Sequence, residues 1–217
     1  MSSEPGEPEV REHGSGEAAA PDPAVERVVS GRAWEEFCDT LKASGNLVLE
    51  MSDEDDVIDR IEGFRHLARL VRGGLESYLE VGDPRFPLVS GLPNQVKIGS
   101  DNPDSTYQSA NIDGRYDYRL WGTRGTVHYL GFGAYAGNYG GGAARLGHMG
   151  SLDGSDLEVA DDGTFEVILS QAEHPGNWIP LRPERGTLVI RQFHLDREAE
   201  EPARVRIERI GADDRPE

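Results

Sequence analysis

The segment Asp101-Asn102-Pro103-Asp104-Ser105-Thr106-Tyr107 gathers an amide, two carboxylates and a phenol within seven residues. Asp104 is the candidate general acid or base, with Tyr107 beside it in the catalytic group as a hydrogen-bond partner and Asn102 as a second, ligand-binding one. The same string also has a purely structural reading. Pro103 fixes its own φ and pushes Asn102 into extended backbone, and Asp104 then forms a turn that opens a strand at Tyr107. Further along, Trp178 stands between Pro175 and Pro180 as a rigid aromatic, either a plug over the core or the wall of a ligand site. Arg191 alternates with Val189 and Phe193 in a strand pattern. A buried arginine there needs a carboxylate; pairing with Asp104 makes it structural, and an unpaired guanidinium would await an anionic ligand. Asp104, Tyr107, Trp178 and Arg191 are therefore expected to converge in space.

His128, His148, His174 and His194 fall in the same half of the chain. The His-x-His pair with a downstream acid that marks many metal-binding barrels is absent, so no metal site is expected. His128 shares its strand face with Leu130 and Phe132, which makes it a pocket histidine and a candidate ligand-binding residue. No phosphate loop and no nucleophile elbow occurs. The glycine-rich run Gly137-Asn138-Tyr139-Gly140-Gly141-Gly142 lacks the dinucleotide spacing and reads as a mobile loop between strands. No cofactor is called for.

These groups must be carried by something. Residues 1–28 are acidic and poor in large apolar side chains, which predicts a disordered leader. Residues 29–90 carry two helical stripes: Trp34, Phe37, Cys38 and Leu41 after a cap at Ser30, then Ile58, Ile61, Phe64, Leu67, Val71, Leu75 and Tyr78 after Ser52. Gly45-Asn46 closes the first and Gly82-Asp83-Pro84 the second. Both are expected to pack on a sheet, since two helices alone bury no core. From residue 91 to 217 the period switches to two. The expected strands are 95–98, 107–112, 116–121, 126–133, 157–159, 164–170, 187–195 and 204–210, broken by Asp113-Gly114, Asp153-Gly154 and similar turns. The fold class is mainly β, an antiparallel, jelly-roll-like sandwich with an N-terminal helical segment.

Composition narrows the function. The 217 residues hold 22 Lys+Arg against 40 Asp+Glu, a net charge of −18. That argues against nucleic acid and anionic membranes as partners. The single cysteine, Cys38, excludes an internal disulfide framework and a cysteine-based zinc site. No apolar run is long enough to span a bilayer, and the acidic N-terminus lacks a signal-peptide core, so a cytoplasmic protein is expected.

The string Asp101-Asn102-Pro103-Asp104-x-x-Tyr107, the following Ile-Asp-Gly turn and Tyr-Arg-Leu-x-Gly resemble the bacterial domain-of-unknown-function family 1214, to which a family numbered 1254 is allied. Asp162-Gly163-Thr164-Phe165-Glu166-Val167, Asn177-Trp178-Ile179-Pro180 and Leu188-Val189-Ile190-Arg191 resemble that family's closing pattern. Phe193 departs from it, standing where tyrosine is more usual. The resemblance covers residues 95–197 and implies a jelly-roll-like sandwich without implying a reaction. Two functions stay open. One is an enzyme with acid/base chemistry in a small-molecule pocket at a sandwich end, using Asp104, Tyr107, Asn102, His128, Trp178 and Arg191. The other is a non-catalytic ligand- or carbohydrate-binding protein, with Trp121 and Trp178 stacking on sugar faces. Either is compatible with a homo-oligomer.

Overall fold

A computed structural model describes residues 22–53, 55–91, 96–98, 102–138 and 147–211. The expected leader over residues 1–21, Gln95, Asp101 and the glycine run 139–142 lie outside the described residues. The chain forms two compact units that divide between Val57 and Ile58.

The first unit holds α1 (Pro23–Val29) and α2 (Arg32–Met51). Asp22 caps α1 by accepting from the Ala24 amide, and Pro23 occupies the first turn, where its missing N–H costs nothing. Residues 22–28 are therefore helical rather than part of a disordered leader. Gly31, at φ +79°, turns the chain between the helices and stands at the N-cap expected of Ser30. Arg27 and Glu36 join the two helices by an ion pair. Helix α2 runs through Gly45-Asn46 instead of ending there. A helical glycine costs only about 1 kcal/mol, and Leu47 and Val48 continue the apolar period. No residue of α2 is buried.

The second unit opens with α3 (Val57–Leu75) and one π-helical turn (Glu76–Glu80). Of α3 only Gly73 is buried, and Ile58, Ile61 and Phe64 are exposed. The sheet packing expected of this stripe is thus not made at Ile58, Ile61, Phe64 and Leu75, which stay open to solvent. What fastens the segment to the sheet is polar: Asn111 donates to the carbonyls of Ser77 (2.9 Å) and Val81 (3.1 Å). No described helix is long and apolar enough to cross a membrane.

Eight strands follow: β1 (Ser105–Asp113), β2 (Tyr118–Thr123), β3 (Tyr129–Ala136), β4 (Gly147–Asp153), β5 (Thr164–Ser170), β6 (Trp178–Pro180), β7 (Arg185–Phe193) and β8 (Arg204–Arg209). They form two four-stranded sheets, ordered β1-β7-β3-β4 and β6-β5-β2-β8. All pairs are antiparallel except β5–β6. The expected two-sheet, mainly β architecture is present. Alternation places Ala110 and Ile112 of β1, Leu130, Phe132 and Ala134 of β3, and Leu188 and Ile190 of β7 inward. They meet Tyr118 and Leu120 of β2, Phe165, Val167 and Leu169 of β5, and Val205 and Ile207 of β8 in one core. Phe132 and Phe165 touch with ring centroids 5.7 Å apart.

Two strands were not expected, and two expected strands are not formed. Strand β4 carries two glycines and alternates weakly, and β6 is three residues ending in proline; neither shows the period-2 signal. Residues 157–159 form no strand. There the Asn177 side chain supplies the pairing a neighbour would have made, accepting from the Glu158 amide and donating to the carbonyls of Glu158 and Glu166. Val96–Ile98 is also irregular.

Leu188 is fully buried between the sheets, so Leu188→Ala should lower the unfolding free energy by roughly 2–5 kcal/mol. Leu67→Ala, on the half-buried face of α3, should cost less than about 1 kcal/mol. Urea midpoints at unchanged slope measure both.

Candidate functional site

The concave site lies where β1 turns into β2. The motif Asp-x-Arg occurs twice beside it, at Asp83-Pro84-Arg85 and at Asp113-Gly114-Arg115. Each folds alike. The first aspartate oxygen accepts the backbone amide two residues on (2.9 Å for Arg85, 3.0 Å for Arg115), closing an Asx turn. The arginine then folds back on the carboxylate through Nε and Nη2, at 2.7–3.1 Å in the first turn and 2.9 and 2.5 Å in the second. Such two-point pairs are strong and geometrically specific.

One phenol ties the two turns together. Tyr118 is fully buried; its oxygen accepts the Asp113 amide (2.8 Å) and donates to the Pro84 carbonyl (2.9 Å). Burial pushes this phenol well above the usual tyrosine range, so it stays protonated and keeps donating. Gly114 lets the second turn seat itself, because a Cβ there would lie 1.8 Å from the Arg182 carbonyl. Arg185, opening β7, completes the wall with its Nε 3.9 Å from the Asp113 carboxylate.

The result is a cleft of 460 Å³, bounded by the two turns, Tyr116 and Arg185, and backed by Tyr78 and Leu79. A second hollow of 80 Å³ lies beside it, sharing Pro84 and Arg185. The Asp113 carboxylate is 1% exposed, whereas Arg115 and Arg185 reach solvent. The Arg85 guanidinium holds the Asp83 carboxyl at about 2, with help from the Arg85 amide. Asp113 is likewise lowered, chiefly by the Arg115 guanidinium against the opposing effect of burial. The field of Arg185 reaches both aspartates. Both carboxylates are therefore fixed anions, each engaging its arginine through Nε and Nη2.

None of the six residues singled out from sequence lines this cleft. Asp104 and Asn102 sit before β1, beyond the strand end away from the cleft; β1 itself spans roughly 27 Å from Ser105 to Asp113 at about 3.4 Å per residue. Asn102 accepts the Asp104 amide at 2.9 Å, the Asx turn of the structural reading. Tyr107 and Arg191 do meet, as cross-strand partners on the outer face of the first sheet. There Arg191 lies over the Tyr135 ring at 5.5 Å and forms no ion pair with Asp104. Trp178 belongs to the other sheet, where its indole donates to the Ser170 hydroxyl at 3.0 Å. His128 is exposed just before β3. The four-residue convergence is not formed: Trp178 lies in the other sheet, and Asp104, at the same strand end as Tyr107 and Arg191, is held by its carbonyl accepting the His194 amide (2.8 Å) rather than by Arg191. The signal that would have found the cleft was the repeated Asp-x-Arg. Among the described residues no group of three or more His, Cys, Asp or Glu could hold a metal ion.

No family model and no curated protein matches the chain. A crystal structure of an uncharacterized protein from Burkholderia cenocepacia aligns with 88% of the chain at 44% identity and a TM-score of 0.82. The chain spans about half, 53%, of that protein's length. The VPA0106 protein from Vibrio parahaemolyticus aligns over 93% of this chain and 59% of its own at 15% identity, with a TM-score of 0.39.

Removing the bridging hydroxyl in Tyr118→Phe leaves the Asp113 amide and Pro84 carbonyl without partners and should cost roughly 1–3 kcal/mol, read from urea unfolding. Asp83 supplies a pH test. Its folded carboxyl sits at about 2, below the roughly 3.9 of an unfolded aspartate. Its stabilising share is complete above about pH 4 and disappears as pH falls toward 2. Asp83→Asn should therefore flatten the stability loss across that window relative to the natural chain.

Proposed function

We propose that this protein binds a small organic molecule in the sandwich-end cleft and performs no acid/base chemistry there. One observation carries the reading: two aspartates, each locked to its own arginine, frame a 460 Å³ concavity that Arg185 also lines. That volume is ordinary for a small-ligand site. A general acid or base needs a pKa near the working pH, and carboxylates held far below neutrality by guanidiniums supply a scaffold instead. Tyr116 and Leu79 offer an apolar surface beside the charged rim. We also retain the kinship with family 1214 as a proposal. It rests on the Asn177-Trp178 motif, whose amide and indole both serve the β5–β6 edge.

Native mass spectrometry of protein purified from its own host should show a retained small molecule. Tyr116→Ala should lose it, while Asp104→Asn and Trp178→Phe should keep it. Loss in Asp104→Asn with retention in Tyr116→Ala would move the site to the opposite end of the sandwich.

A further inference from the structure

We infer that the cleft recognises a carboxylate, a small organic monoanion whose acid group docks on the Arg185 guanidinium. The inference rests on the binding reading above and names the chemistry of the ligand.

Charge count comes first. Arg85, Arg115 and Arg185 bring three positive charges, and Asp83 and Asp113 remove two, leaving one. A monoanion neutralises that excess, and the shape of the donors separates a carboxylate from phosphate. In a chain of net charge −18, a local positive excess also gives an anion a reason to settle here rather than elsewhere.

Geometry agrees. The cleft already displays carboxylate-on-guanidinium pairing twice, with the chain's own Asp83 and Asp113 as the acids. Arg185 is the third guanidinium and has no such acid seated on it among the described residues. Among the described residues its one ion contact is the 3.9 Å approach to Asp113, a carboxylate whose two oxygens are already taken by Arg115, and no described group hydrogen-bonds its side chain. Its side chain is 75% exposed and borders both hollows. A planar fork with five donors and no acid seated on it matches a carboxylate better than a tetrahedral anion. Tyr116 and Leu79 line the same cleft and can cover an aromatic or alkyl remainder, which an inorganic anion would leave bare.

The test is calorimetry on the full chain at pH 7 with benzoate, hexanoate, benzamide and inorganic phosphate. At least one of the two carboxylates should bind, benzamide about tenfold more weakly or worse, and phosphate should not compete. Arg185→Gln should weaken carboxylate binding by about tenfold or more with the melting temperature unchanged, and Arg185→Lys should restore only part, since an ammonium lacks the fork. Equal binding of benzoate and benzamide, tighter binding of phosphate, or an unaltered affinity in Arg185→Gln would each overturn the carboxylate assignment while leaving a small-molecule site in place. Absence of carboxylate binding overturns it too. If native mass spectrometry then also shows no retained molecule, the binding reading falls with it.

Discussion

The hydroxyl of Tyr118 is the point on which the sandwich end turns. It stands on β2 inside the core, yet its oxygen makes one bond to the close of β1 and another to a segment some thirty residues earlier. Without a group there, the Asp113 amide and the Pro84 carbonyl would be buried polar atoms with no water to take them. With it, the two Asx turns are held face to face. The ion pairs that follow are local, each spanning two residues, and need the phenol only to bring them together. Tyr118 thus converts two ordinary turns into a concave surface.

The rest of the fold serves that arrangement by rigidity. β1 and β7 pair along nine positions, so the place of Arg185 relative to Asp113 is set by the ladder rather than by a loop. The Asp113 carboxylate can be buried only because Arg115 meets both of its oxygens; a buried charge with less would be costly. Elsewhere charges behave differently. Arg119 spans Glu166 and Glu208 on the open face of the second sheet and lies over Trp121, an exposed network of small energetic consequence. Position in the fold, not residue type, separates the two uses of arginine.

Much of the sandwich was legible in the sequence because alternation is local information. β5 and β8 announce themselves by apolar side chains at every second position, β7 by its Leu188-Val189-Ile190 run and β1 by Ala110 and Ile112 ahead of an Asp-Gly turn. β4 and β6 did not, since glycine and proline carry no face. The helical stripes were legible too, but periodicity states only that a face is apolar, not that anything covers it. The site failed for a related reason. Gly82-Asp83-Pro84 was readable as the helix stop it is, whereas Asp113-Gly114, readable as a hairpin turn, carries the chain from β1 in one sheet to β2 in the other. Their arginines became a site only through a hydrogen bond spanning 34 positions, and no pattern of spacing encodes that. Asp104 and Arg191, by contrast, attracted notice through chemistry alone, and chemistry without the strand register placed them wrongly.

The segment from Ser77 to Ser90 has a second consequence, for what the protein avoids. β1 is a border strand of its sheet, and a border strand offers unpaired backbone groups to any passing chain. Ser90 exchanges both of its backbone bonds with Ser109, and Asn111 holds Ser77 and Val81 just beyond. The strap is too short and irregular to be a ninth strand, yet it occupies the middle of that border. The same stretch of chain that shapes the cleft therefore acts as a guard against intermolecular β-zippering, and a cut within it would endanger solubility as well as the cleft.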